Sequence, residues 1–262
     1  MNEVTLDVSI LVPALLAGVL VLATHVPMGR VVLSRGIIFI DLAVAQVAGL
    51  GVIAADRFEL VLGGFGIQIA AALAAVTAAL LLTWTERVFG EIQEALIGIL
   101  FVLAATGGIL LLADNPHGGE QLQDLLVGQI LWVGVSGLWP VALLYAAVLA
   151  LWFGPARNFV REGLGFYLVF ALTVTASVQL VGVYLVFASL IIPAVATRDL
   201  SERRGHALAM VLGIASYAIG LALSMQGDLP TGAAVVWSLA FLSGAWMLVR
   251  GMMRRGPKVP SP

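Results

Sequence analysis

No cysteine occurs among the 262 residues, and only 11% of them are charged. The first absence excludes disulfides, thiolate metal sites and cysteine nucleophiles, and leaves any metal chemistry to carboxylate, imidazole and amide oxygen ligands. The second excludes a soluble globule, because an ordinary soluble domain carries roughly 25% charged residues and could not cover its surface with so few. A disordered tail is excluded by a hydrophobic content of 61%, and a nucleic-acid binder has no support in a formal net charge of -2, which leaves no positive excess to gather an anionic polymer. A GxxxxGK[ST] phosphate loop is also missing, so any ATP-driven process would need a second polypeptide to hydrolyse the nucleotide. What is present is 61% hydrophobic residues, 29 glycines scattered through Leu, Val and Ala runs, and a mean hydropathy of +1.07. Glycine is commoner in spanning helices than in soluble ones, and the composition predicts an all-α polytopic membrane protein.

A helix needs about 20 apolar residues to cross a hydrocarbon core roughly 30 Å thick. Spans are expected over 8–28, 36–55, 60–84, 95–113, 135–153, 207–225 and 232–249. The apolar stretch 164–197 is longer than one helix needs and reads as two short helices, 164–178 and 182–197, broken near Gln179 and Gly182. Together these make eight or nine membrane helices in a single membrane-embedded domain over 1–262, with no soluble domain at either end and no short repeat. Between them, the polar stretch 114–124 leads into an apolar segment, 125–133, too short to cross. The first span is expected to remain in the mature chain, since Glu3 and Asp7 precede it and no Lys or Arg does.

Basic residues orient the spans. With Arg30 and Arg35 inside, alternation places every other Lys and Arg inside except Arg57, provided that 164–197 enters and leaves on one face. The N-terminus is then outside and the C-terminus inside.

Polar groups within the spans are the candidates for function. Asp41 lies six residues beyond Arg35, which puts it roughly 9 Å into the membrane at about 1.5 Å per residue. A carboxylate there is expected to face a water-filled path or a partner; the competing reading is a structural clamp, with Asp41 tied to helix N-terminal amides or paired with Arg30 or Arg35. Gln46 is about 140° around the same helix from Asp41 and could add an oxygen donor if the helix bends. His25 is the one histidine in a span, either a ligand or a hydrogen-bonded packing residue. Gln179 and Ser189 read as helix-to-helix hydrogen-bonding groups. On the outer face Glu3, Asp7, Asp56, Glu59, Asp114, Glu120, Asp124 and Asp228 would concentrate cations, or are simply what remains once basic residues are sorted inward. Within Asn115-Pro116-His117-Gly118-Gly119-Glu120, His117 adds an imidazole to the carboxylates without matching a closed zinc spacing.

Several stretches resemble the permeases of ABC importers for zinc, manganese and iron, which include the membrane subunit of the bacterial high-affinity zinc uptake system. Pro27-Met28-Gly29 and Arg35 to Asp41 are similar to that family's Pro-Leu-Gly turn and the segment leading to its intramembrane Asp. Ala95-Leu96-Ile97-Gly98-Ile99 resembles its Leu-Leu-Gly-Ile helix start, and Leu125-Leu126-Val127-Gly128 its short Tyr-Leu-Phe-Gly element. Val181 to Ala194 matches the Val-Gly-x-Leu-Leu-Val-x-x-Leu-Leu-Ile-Ile-Pro-Ala signature most specifically, and Asp228-Leu229-Pro230-Thr231-Gly232 matches Asp-x-Pro-x-Gly before the last helix. Three departures stand out: Ala45 occupies the place of the family's His one turn after the Asp, Gln129 replaces an Asp after the glycine, and the 154–163 stretch is short and weakly acidic.

The resemblance implies a homodimeric permease in the cytoplasmic (inner) membrane of a bacterium, with a cytoplasmic ATPase subunit and an extracytoplasmic metal-binding protein as partners. It implies no permanently bound cofactor, with a divalent metal ion as substrate, and no enzymatic activity in the chain itself. Asp41 is then the path residue, Gln46 and His25 second-line donors, and His117, Glu120 and Asp228 donors at the outer mouth. The ATPase contact falls in the loop 196–206, with Arg198, Asp199, Glu202, Arg203 and Arg204, which also reads as an interfacial charged helix. The alternatives are a proton-coupled secondary carrier titrating at Asp41, and a non-transporting scaffold descended from a permease.

Overall fold

The computed structural model describes residues 8–58 and 66–254. Among them are eleven α-helices and no strand: α1 (Val8–Arg35), α2 (Ile40–Arg57), α3 (Gly66–Phe89), α4 (Gln93–Leu111), α5 (Gly118–Val127), α6 (Val135–Phe153), α7 (Arg157–Val160), α8 (Gly163–Val181), α9 (Val183–Thr197), α10 (Glu202–Gly227) and α11 (Thr231–Arg254). Helices dominate because a chain in lipid must satisfy every backbone N–H and C=O within its own segment. Among the described residues, six stretches are long and apolar enough to cross a membrane: Ser9–Arg35, Gly66–Leu111 (which holds both α3 and α4), Val135–Phe153, Gly163–Val181, Glu202–Gly227 and Thr231–Met253.

Several helix ends differ from the sequence reading. Where that reading ends the first span at Met28, α1 continues to Arg35 with Pro13 and Pro27 inside it, so Pro27-Met28-Gly29 is helical and not a turn. Proline is tolerated in a membrane helix because neighbouring groups re-satisfy the freed backbone. The turn falls at Gly36–Phe39 instead, and α2 starts at Ile40. The apolar stretch 164–197 breaks at Gly182 alone; Gln179 is an exposed residue inside α8 and not part of the break. No separate interfacial helix follows α9: the connection is the short turn 198–201, and Glu202, Arg203 and Arg204 form the first turn of α10.

The last turns of α1 tie one end of the bundle together. Arg30 donates to the carbonyls of Thr197 (3.0 Å) and Leu200 (2.9 Å) at the end of α9. Arg35 donates to the carbonyl of Arg161 just before α8, pairs with Glu86 of α3 at 3.9 Å, and lies 4.4 Å from the ring centre of Phe166. The beginning of α8 and the end of α9 therefore lie on the same side, as the basic-residue pattern requires. Arg161 faces Glu202 at 3.5 Å, and Arg250 of α11 reaches the Asp199 carbonyl at 3.4 Å, so Arg30, Arg35, Arg161 and Arg250 gather at this end.

At the far end of α8 two backbones cross. Gly128, just past α5, has φ +73, and Gly182, between α8 and α9, has φ +81. A Cβ on Gly182 would lie 2.6 Å from the Val127 carbonyl carbon and 2.7 Å from the Gly128 Cα, and one on Gly232 would lie 2.5 Å from the Val127 carbonyl oxygen. Three of the glycine-bearing motifs noted in the sequence thus converge on one point.

Along the bundle the core is aromatic, with Tyr145, Trp152, Phe166, Tyr167, Phe170 and Tyr217 almost fully buried. Ser189 of α9 bonds the Tyr217 hydroxyl of α10 at 2.9 Å, as the sequence reading expects of Ser189, and Tyr145 bonds Ser177. Removing either partner of the Ser189–Tyr217 pair is expected to cost about 1 kcal/mol, since interhelical bonds in membranes are worth less than their burial suggests. A double-mutant cycle of Ser189→Ala and Tyr217→Phe in detergent unfolding checks this, and a coupling near zero would show the bond to be incidental.

Candidate functional site

Asp41 sits in the first turn of α2 with no exposed surface, held among apolar neighbours by the packing of α2 on α3, α4 and α8. Neither of its carboxyl oxygens has a hydrogen-bond partner. The amides of Asp41 and Leu42 act on it electrostatically without meeting hydrogen-bond geometry. Both arginines that could have clamped it are engaged elsewhere, Arg30 on α9 carbonyls and Arg35 on Glu86 and Arg161.

One helical turn further along α2, Ala45 borders a cavity of about 740 Å³ lined from α2, α4, α5, α8, α9 and α11. Leu42, Ala45 and Gln46 form its α2 wall nearest Asp41, and Pro230 and Gly232 contribute from the α10–α11 connection. Its walls are mostly aliphatic, with Gln46, Tyr184 and Trp237 bringing the polar side-chain atoms. Asp41 itself is not on that wall and is fully buried.

Glu94, at the start of α4, is a second acidic group here. Its Oε1 accepts the Phe39 N–H at 3.2 Å, immediately before α2, while its Oε2 is buried without a partner. It acts electrostatically on Asp41. Sequence reasoning passed over Glu94 because it lies one residue outside the apolar run taken to begin at Ala95. The signal that could have found it is a carboxylate on the opening turn of a spanning helix, at the same end of the bundle as Asp41.

The remaining sequence candidates are dispersed. His25 is fully buried in α1; its Nδ1 lies 2.9 Å from the Val21 carbonyl and 3.1 Å from Thr24 Oγ1, its Nε2 has no hydrogen-bond partner, and it does not line the cavity. His117 and Glu120, on the head of α5, pair at 3.6 Å with side chains 80% and 76% exposed. Asp228 is exposed and serves as the left-handed cap of α10, with φ 49. Among the described residues no group of three or more His, Asp or Glu is placed to hold a metal ion. Glu3, Asp7 and Glu59 of the outer acidic set lie outside the described residues. At the opposite end Arg198 pairs with Asp199 at 3.7 Å, and Arg203 and Arg204 are exposed beside Glu202, so the charged loop presents an accessible surface.

Comparison with known proteins adds an independent line. The sequence matches the ABC 3 transport family over residues 7–163 and 160–250. An uncharacterized membrane protein of Synechocystis sp. is 31% identical, the match covering 87% of each chain. The manganese transport system membrane protein MntC of Halalkalibacterium halodurans is 27% identical over 88% of this chain and 84% of its own. Among solved structures, PsaBC from Streptococcus pneumoniae in complex with Fab has a similar fold, with a TM-score of 0.70 at 21% identity over 92% of this chain and 91% of that one.

Proposed function

Because the chain belongs to the ABC 3 transport family, it is a multi-pass membrane permease subunit and not itself an enzyme, and from that premise we propose that it carries divalent metal ions inward across a bacterial cytoplasmic membrane. A separate cytoplasmic ATPase drives the cycle by closing on the 198–204 surface, and an extracytoplasmic protein delivers the ion to the opposite mouth. Two copies form the working permease. Nine helices cross, namely α1 to α4, α6 and α8 to α11, in one membrane domain with the N-terminus outside. The gathering of Arg30, Arg35, Arg161 and Arg250 at one end supports this orientation, since basic residues favour the cytoplasmic side. Manganese(II) and iron(II) are favoured over zinc, because Ala45 offers no imidazole and carboxylate oxygens suit harder cations.

The observation that carries the reading is the buried, partnerless carboxyl group of Asp41 beside a large cavity, with both nearby arginines committed elsewhere. An acid within a spanning helix costs about 3 kcal/mol on insertion scales, and a passing cation accounts for its presence. The test is radioactive manganese(II) uptake into liposomes holding the permease with its ATPase subunit. Uptake is expected only with ATP inside the ATPase compartment. Uptake on a proton gradient alone would assign the chain to the proton-coupled carriers, and none under either condition would leave a non-transporting scaffold.

A further inference from the structure

We propose that Glu94 is the second protein ligand of the cation that Asp41 receives, so that the two carboxylates form an all-oxygen site at the cytoplasmic end of the path. The proposal rests on the reading of Asp41 as a path residue and adds the residue that completes the site.

Two observations bring Glu94 to Asp41. Each stands on the opening turn of its helix, α2 and α4 pack along their length, and the Glu94 carboxylate is fixed at the head of α2 by the Phe39 N–H, two residues before Asp41. Each also keeps buried oxygen atoms without a hydrogen-bond partner: both oxygens of the fully buried Asp41, and Oε2 of Glu94. Buried oxygens are ordinarily hydrogen-bonded, and like charges side by side in a low-dielectric setting repel. A divalent cation between them removes both costs together. Arg35 is occupied by Glu86, Arg161 and the Phe166 ring.

Position gives the order of events. The cavity ends at Leu42 and Ala45, Asp41 is sealed one turn beyond, and Glu94 is half-buried at the inner end of the bundle. An ion leaving Asp41 meets Glu94 before it meets the cytoplasm. With carboxylate oxygens and no imidazole or thiolate, the pair selects hard divalent cations, manganese(II) or iron(II), over zinc.

Glu94→Gln isolates this role, because glutamine keeps an oxygen to accept the Phe39 N–H and removes only the charge. Binding of manganese(II) chloride to the purified permease–ATPase complex is followed by electron paramagnetic resonance, with thermal unfolding in metal-free buffer in parallel. The expected result is at least about tenfold weaker manganese binding, with unfolding unchanged or raised since a like-charge contact is gone. Should Glu94→Gln fail to assemble, Glu94→Asp retains the charge at a shorter reach and is expected to weaken binding severalfold. If Asp41→Asn abolishes binding while the Glu94 variants bind as wild type does, Glu94 is only a helix cap and the inference is overturned, while the path reading stands. If Asp41→Asn also binds as wild type does, that reading fails and this one with it.

Discussion

Asp41→Asn is expected to lower ATP-driven manganese(II) uptake by well over tenfold while leaving the folded permease at least as stable as wild type. The loss follows from removing a charged ligand, since even groups that merely orient ligands contribute roughly 10–100-fold in metal affinity. The unchanged or increased stability follows from what surrounds the residue: no hydrogen bond or ion pair to either carboxyl oxygen is broken by the substitution, and the neutral amide is cheaper to bury. The clamp reading makes the opposite forecast, because breaking a buried ion pair destabilises by about 3–5 kcal/mol. Parallel measurement of uptake and of unfolding temperature in detergent separates the two. Normal uptake with lowered stability would place the cation path somewhere other than α2.

Much of this was legible in the sequence because lipid imposes simple rules. Helix periodicity is unnecessary when every residue of a span is apolar, so α6 could be read at its true limits, Val135–Phe153, from hydropathy alone. The same-face return of 164–197 followed from where the arginines had to lie, and the contacts of Arg30 and Arg35 put both of its ends together. Helix ends were less legible: α1 and α10 run into stretches whose charge suggested loops, as Arg30, Arg35, Glu202 and Arg203 sit on regular helical turns at the end of the bundle. Polar groups within apolar runs, Asp41 and Ser189, stood out, whereas Glu94 at the edge of a run did not. Partnerships across helices were invisible, because which carbonyl Arg30 reaches depends on packing that no local pattern encodes. His117, Glu120 and Asp228 read alike as candidate donors at the outer mouth; in the fold Asp228 is a helix cap, and His117 and Glu120 form an exposed pair.

The crossing of Gly128 and Gly182 should be the least tolerant point in the fold. Both have φ between 70 and 85 with ψ of 168 and 162, a combination almost restricted to glycine. Alanine at either place incurs about 1–3 kcal/mol of backbone strain, and its methyl group meets the other strand of the crossing, not a side chain that could rotate away. The two chains must therefore separate, and with them the inner walls that α5, α9 and α11 give the cavity. Against a total stability of about 5–15 kcal/mol for a domain, Gly182→Ala alone is expected to leave little folded permease, and Gly128→Ala similarly little. Gly244→Ala in α11 is the matched control: its added methyl meets no atom within 4 Å, and alanine is favoured over glycine in a helix by about 1 kcal/mol. Recovery of monodisperse protein by size exclusion after detergent extraction reads the difference. Gly182→Ala recovered at the level of Gly244→Ala would mean that the α8–α9 break yields to side chains, and that the two motifs meet there without constraining each other.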